Sequence, residues 1–212
     1  MYVKELWRYP LKSAAGEQIS EAVINGLGIE GDRLIVVHRG GTKLVTSRTH
    51  PKLLSLKGSF DSKKLPRING FAWNSNEALR LIQEAAGTTA ELAYHDGPER
   101  FDVLPLLVAT DGAIEHLGID GRRLRPNIVI GGVEGLAERS WPGTKLQMGK
   151  VVIQAAQLRG RCVMTTWHPD TQEQDSNVLK RIANELDGTM ALDCEVISGG
   201  RIRVGDEVSL VS

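Results

Sequence analysis

The residues best placed to do chemistry lie at 157–171: Gln157-Leu158-Arg159-Gly160-Arg161-Cys162-Val163-Met164-Thr165-Thr166-Trp167-His168-Pro169-Asp170-Thr171. The stretch holds one of only two cysteines, Cys162, with Arg161 directly before it and Arg159 three residues before. A thiol acts as nucleophile or metal ligand only as thiolate, and neighbouring guanidinium charge favours that form. Thiolate also suits soft or high-valent metal centres. The alternative is a small buried hydrophobe in a strand, because free cysteine is among the most buried residue types. A Cys–His nucleophile pair with His168 is conceivable, but a histidine before Pro169 reads more simply as a turn residue.

Four further clusters place polar side chains beside turn residues: Tyr9-Pro10-Leu11-Lys12-Ser13, Gly31-Asp32-Arg33, Thr46-Ser47-Arg48 and Arg122-Arg123-Leu124-Arg125-Pro126-Asn127. Singly, each has an ordinary explanation. Lys12 and the Arg122/Arg123 pair read as surface charge, Ser13 as a turn residue, and Asp32-Arg33 as a local ion pair of little worth. There is no Gly-rich phosphate loop and no His-Glu-x-x-His pair. A Gly-x-Ser-x-Gly elbow is also missing.

The elements that must carry these residues are mostly short strands. Residues 1–9, 18–25, 33–38, 43–46 and 53–57 read as strands bounded by Gly and Pro turn signals, and Arg39-Gly40-Gly41-Thr42 joins two of them as a hairpin. Helical periodicity covers 74–86, with Ala78, Leu79, Leu81, Ile82, Ala85 and Ala86 on one face, Asn74 or Ser75 as cap and Gly87 as stop. A short helix is predicted over 111–117, capped by Thr110 or Asp111, and a third over 176–186, closed by Gly188. Strands follow at 126–130, 145–148, 151–157, 161–167, 191–197, 202–204 and 207–211. Many short strands with few helices indicate an α+β, mostly β, barrel-like protein. A boundary near His95-Asp96-Gly97-Pro98 divides it into domains 1–95 and 96–212.

Size and charge bound the function. At 212 residues the chain can bury a sizeable core. Lys+Arg and Asp+Glu both number 26, so no bulk field draws it to nucleic acid or membrane. Cationic side chains can still gather locally around an anion. Cys162 and Cys194 are too few for a disulfide scaffold or an iron–sulfur cluster. No apolar run approaches the roughly 20 residues of a membrane span, and the first residues lack the layout of a signal peptide, so a soluble cytoplasmic protein is expected.

In order along the chain, the clusters resemble the MOSC family, named after the C-terminal domain of molybdenum cofactor sulfurase, and within it the amidoxime-reducing components. Tyr9-Pro10-Leu11-Lys12-Ser13 resembles the family's Y-P-[VI]-K-S. Gly31-Asp32-Arg33 resembles its D-R segment, and Thr46-Ser47-Arg48 with Pro51-Lys52-Leu53 its T-[AS]-R-x-x-P-x-[LM]. Arg125-Pro126-Asn127-Ile128-Val129 resembles R-P-N-[IL]-V, with Leu124 where the family has Phe; Glu138-Arg139-Ser140-Trp141 resembles E-D-x-W. Arg161-Cys162-Val163-Met164-Thr165-Thr166 resembles R-C-x-x-T-T, with Arg159 in place of a preceding family cysteine. Ile202-Arg203-Val204-Gly205-Asp206-Glu207-Val208 resembles the closing I-x-V-G-D-x-V.

The resemblance implies a MOSC-type β-barrel preceded by an N-terminal β-barrel-like subdomain. It also implies a molybdopterin-type molybdenum cofactor, with Cys162 as the catalytic metal ligand. Lys12, Ser13, Arg33, Arg125, Asn127 and Arg161, and more loosely Thr110, are the implied cofactor contacts. Cationic forks and hydroxyl donors suit an anionic ligand of that kind. The implied activity is two-electron reduction of N-oxygenated small molecules, with electrons from a separate electron-transfer protein. The relatives carry longer insertions between the Thr46–Arg48 region and Arg125, which bears on substrate. The rival expectation is a sulfur carrier that holds sulfur on Cys162 for delivery to a metal centre.

Overall fold

The computed structural model describes residues 1–41 and 43–211, so Thr42 of the expected 39–42 turn lies outside the described residues. The first half supplies β1 (Tyr2–Arg8), β2 (Glu17–Ile19), β3 (Glu21–Asn25), β4 (Gly28–Ile29), β5 (Ile35–Arg39) and β6 (Lys43–Val45). Next come β7 (Gly58–Phe60), β8 (Pro66–Ile68), β9 (Phe71–Ala72), α1 (Asn76–Ala86) and β10 (Ala90–Tyr94). The second half supplies β11 (Leu106–Thr110), α2 (Asp111–Leu117), β12 (Ile128–Gly131), β13 (Lys145–Met148) and β14 (Val151–Gly160). It ends with α3 (Ser176–Leu186), β15 (Thr189–Ser198), β16 (Gly200–Arg203) and β17 (Ser209–Val211). The fold is α+β and mostly β.

An eight-stranded sheet in the order β17-β13-β14-β15-β11-β12-β1-β2 forms the frame. Its centre is β11 beside β12, its parallel pair, in a register that sets Val108 opposite Ile128 and Thr110 opposite Ile130. Leu106-Leu107-Val108-Ala109-Thr110 and Ile128-Val129-Ile130-Gly131 are buried at every position. Such unbroken apolar runs belong to strands covered on both faces. One face packs Leu106, Val108, Ile128 and Ile130 into a core with Leu6, Ile153, Leu192 and Ile202. The other packs Leu107 and Ala109 against α2 and α3 through Leu117, Val178, Ile182 and Leu186.

A third core belongs to the first half, where Ala78, Ile82 and Ala86 of α1 meet Ile35, Val37, Leu53 and Ile68. The period of that helix predicts this face, its Ser75 cap accepts from Ala78 N at 3.2 Å, and Gly87 ends it. The helices at 111–117 and 176–186 form as expected, with Thr110 and Asp175 as their side-chain caps. Asp187, ahead of Gly188, takes the left-handed turn after α3.

Two expectations are corrected. Residues 53–57 are not a strand; Pro51 starts a 3-10 turn over Pro51–Ser55, as proline favours at a first helical position. Residues 161–167 are not a strand either. β14 runs on to Gly160, and Val163–Thr166 is a 3-10 turn in which Thr165 Oγ1 and Thr166 Oγ1 donate back to the Cys162 and Val163 carbonyls at 2.8 and 2.7 Å. Strand β11 is absent from the sequence reading, because a five-residue apolar run after a proline shows no alternation.

The division near residue 95 does not separate two strand sets. β1 pairs antiparallel with β12 of the large sheet, and β16 pairs with β3 in the small sheet β16-β3-β4. Residues 1–3 are also laced to the last turn, with Val3 N donating to Asp206 O at 2.8 Å and Val208 N to Met1 O at 2.9 Å.

Candidate functional site

Where the two halves meet, a cleft opens to solvent. Lys12, Ser13, Arg33, Arg125, Asn127, Arg161 and Cys162 all line it. Thr110 does not. It is fully buried at the start of α2, accepting from Ala113 N at 3.3 Å and donating to Glu138 Oε2 at 3.1 Å, so its hydroxyl is committed to the fold.

The backbone at the cleft is unusual in a way no sequence pattern announces. Ser13, Arg33 and Arg125 adopt φ of 71°, 55° and 58°, a left-handed conformation that costs a side-chain-bearing residue about 1 kcal/mol or more. Each is held there by its neighbours. Arg33 N donates to Tyr9 O at 2.7 Å, and Arg125 N donates to Arg122 O at 3.0 Å, closing the short turn Gly121–Leu124. Ser13 follows Lys12, whose N–H is tied to Ile35 O at 2.8 Å.

Asp32, fully buried, orients this corner by accepting from Tyr9 N at 2.8 Å and pairing with the Arg33 guanidinium. Arg33 and Arg125 lie over the Tyr9 ring at 5.3 and 4.4 Å from its centroid. Asn127 is a cross-strand staple. Its Oδ1 accepts from Leu107 N at 3.1 Å and Arg33 Nη1 at 3.3 Å, and its Nδ2 donates to Trp7 O at 3.4 Å.

Cys162 sits half-buried just past β14, its carbonyl fixed by Thr165 N and Oγ1, which explains the two threonines after it. Arg48, from the first half, lines the same cleft, and Cys162, chiefly, pushes its guanidinium above its ordinary range; burial opposes this and Asp102 assists. The loop is clamped from the other side as well. Arg123 Nη1 donates to Thr166 O at 2.8 Å, and Arg122 bridges Asp120 and Asp170 at 2.6 Å each.

Seven cationic side chains line the cleft (Lys12, Arg33, Arg48, Arg123, Arg125, Arg159 and Arg161) against one lining carboxylate, Asp102. Four are paired: Lys12 and Arg48 with Asp102 at 2.7 and 2.8 Å, Arg33 with Asp32, and Arg159 with buried Asp193 at 2.6 Å. Among the described residues, Arg123, Arg125 and Arg161 hydrogen-bond only to backbone carbonyls. Buried Arg125 Nη2 and Arg161 Nε have no hydrogen-bond partner. Burial, ahead of any charge, depresses Arg125 to about 10; burial and then Arg159 do the same to Arg161. Buried positive charge without a counter-charge is costly, and an anion in the cleft would relieve it. The donor set therefore fits an anionic ligand held next to a reachable thiol.

A second, more apolar cleft adjoins the first, walled by Trp7, Tyr9, Leu54 and Trp167 and sharing Arg123, Arg125 and Met164 with it. Sequence reading missed Arg48, Asp102 and Arg123 as cleft residues. The first was visible only as a motif member, and nothing near Asp102 in sequence points to Lys12, which lies 90 residues away.

This architecture, with its cleft at the meeting of the halves, places the chain in a family. The MOSC N-terminal beta barrel domain profile matches residues 1–91 and the MOSC domain profile residues 108–209, and the chain belongs to the MOSC family with both parts present. It is similar to Mitochondrial amidoxime reducing component 2 of Homo sapiens, 26% identical over 97% of this chain and 82% of that one. It is also similar to Mitochondrial amidoxime-reducing component 1 of Homo sapiens, 25% identical over 80% and 67%. Among solved structures, the YUAD protein from Bacillus subtilis shares the fold at a TM-score of 0.50 and 12% identity, over 99% of this chain and 94% of that one. Among the described residues no helix is long and apolar enough to cross a membrane.

Proposed function

We propose that this chain is a molybdenum cofactor-dependent oxidoreductase that reduces N-oxygenated small molecules with electrons delivered by a separate protein. The observation that carries the proposal is the cleft's composition: a reachable thiol among seven cationic side chains, two of them holding buried donors with no partner. Cys162 would supply the protein thiolate to the metal. Lys12, Ser13, Arg125 and Arg161 would hold the ligand's anionic and polar groups, while Arg33 and Asn127 fix the walls. The bound cofactor would supply a metal centre able to take up two electrons and accept an oxygen atom.

The chain's own residues have clear tasks in that reading. Arg48 brings positive charge into the cleft that Cys162 lines. Thr165 fixes the backbone from which the thiol projects. Arg123 holds the loop through Thr165 O and Thr166 O. The more apolar cleft beside the site offers the Trp7, Tyr9, Leu54 and Trp167 walls to the organic part of a substrate. The relatives named amidoxime-reducing components support the choice of N-oxygenated substrates.

The test is elemental analysis of protein made in a cofactor-producing host, wild type beside Cys162→Ser. Near-stoichiometric molybdenum in the first and little in the folded variant is expected. Equal metal in both would remove Cys162 from the site. No metal in either, with a sulfur mass gain on Cys162 after treatment with a sulfur donor, would replace this reading by sulfur carriage.

A further inference from the structure

Lys12 and Arg48 come from different loops of the first half, yet they are joined through one carboxylate. Asp102 Oδ1 lies 2.7 Å from Lys12 Nζ, and its Oδ2 lies 2.8 Å from Arg48 Nη2, so each oxygen serves one cation. Lys12 is well anchored without it. Lys12 Nζ also donates to Arg100 O at 2.8 Å, and its backbone is tied to β5. Asp102 is less fixed than Lys12. It sits on the stretch 101–105, outside any strand or helix, beside exposed Val103, and its side chain is 35% exposed against 7% for Lys12. A carboxylate bridging two cations in a cleft otherwise rich in uncompensated positive charge is a stand-in for an anion.

We propose that Asp102 is a built-in occupant of an anion subsite formed by Lys12 and Arg48, and that an anionic ligand group enters this part of the cleft by displacing its carboxylate. The inference rests on the reading that the cleft receives an anionic ligand, and it adds the residue that sets the affinity for one. Because Arg48, Asp102 and Cys162 line one cleft, a group taking the place of Asp102 shares that cleft with the thiol. Asp102 then keeps the empty cleft electrically quiet and raises the threshold for weak anions.

The opposite role is that Asp102 positions Lys12 and Arg48 for the ligand, and the two roles predict opposite signs. Sulfate, a dianion of fixed charge near neutrality, is titrated calorimetrically into the full chain at low chloride, with wild type, Asp102→Asn and Asp102→Ala compared. Both variants should bind sulfate about tenfold more tightly, the effect of removing one competing charge a few ångströms from the site. The gain should vanish when Lys12→Met is added. Equal or weaker sulfate affinity in the variants would overturn the proposal, as would a gain that survives Lys12→Met. Molybdenum plays no part in this titration, so its outcome is independent of the metal analysis of Cys162.

Discussion

Arg161→Met is the sharpest test of the claim that this cleft is built around a missing counter-charge. In the folded chain burial, reinforced by Arg159, lowers the Arg161 guanidinium to about 10, which corresponds to about 3 kcal/mol against the charged form. Water at the cleft mouth screens part of this, leaving about 2 kcal/mol. The opposing term is the bond from Arg161 Nη2 to Leu124 O at 2.8 Å, worth about 1 kcal/mol. Methionine keeps the unbranched stem and removes the charge, so the ligand-free variant should be more stable by about 1 kcal/mol. For a chain of this size that raises the melting temperature by about 2–4 °C.

The dependence on pH follows from the same shift. The folded chain holds this proton only to about pH 10 and the unfolded chain to a higher pH, so the penalty is full below about 10 and is lost as the pH rises above it. The advantage of the variant should thus be constant through neutral pH and shrink only above about pH 10. Thermal melts without multivalent anions provide the assay, repeated with sulfate, which should raise the wild-type midpoint more than that of the variant. A ligand-free variant melting several degrees below wild type would refute the reasoning, because Arg161 would then be a structural residue with adequate partners.

Three further outcomes are expected. Titration with an aromatic disulfide should modify one thiol in the native protein and two after denaturation, because Cys162 is half-buried while Cys194 is fully buried and burial pushes its thiol up. Ile82→Ala, at a fully buried position of α1, should cost about 2–5 kcal/mol in urea unfolding. Gly16→Ala should cost about 1–3 kcal/mol and alter the near-ultraviolet circular dichroism, since its Cβ would fall 2.6 Å from both Arg8 O and the Tyr9 ring.

The sequence made the local features plain and the long-range ones invisible. The apolar face of α1, its serine cap and the β5–β6 pair follow from periodicity and turn chemistry within a dozen residues. The cysteine and its arginine-rich neighbours were equally visible as a cluster. What surrounds Cys162 was not, because Arg48, which lines the same cleft, lies 114 residues earlier, and no spacing rule reaches that far. Thr110 went astray for the reverse reason: a hydroxyl in a plausible position was already needed to cap a helix. The left-handed backbone at Ser13, Arg33 and Arg125 is imposed by tertiary hydrogen bonds and leaves no mark on residue type, since none of the three is glycine.

The interleaving of the halves has a consequence for how the chain acquires its shape. β1 can pair early with its neighbour β2, yet its other partners are β12 and the 205–208 turn, which emerge more than 120 and 200 residues later. Until they arrive, Val3 and Leu6 can meet only the early part of their core, and β3, though joined to β4, waits likewise for β16. Local pieces such as α1 with β10 can form early, but the sheet closes late, through contacts of high sequence separation that slow folding. β1 completes its pairing only then, and the cleft with its cysteine exists only after that closure.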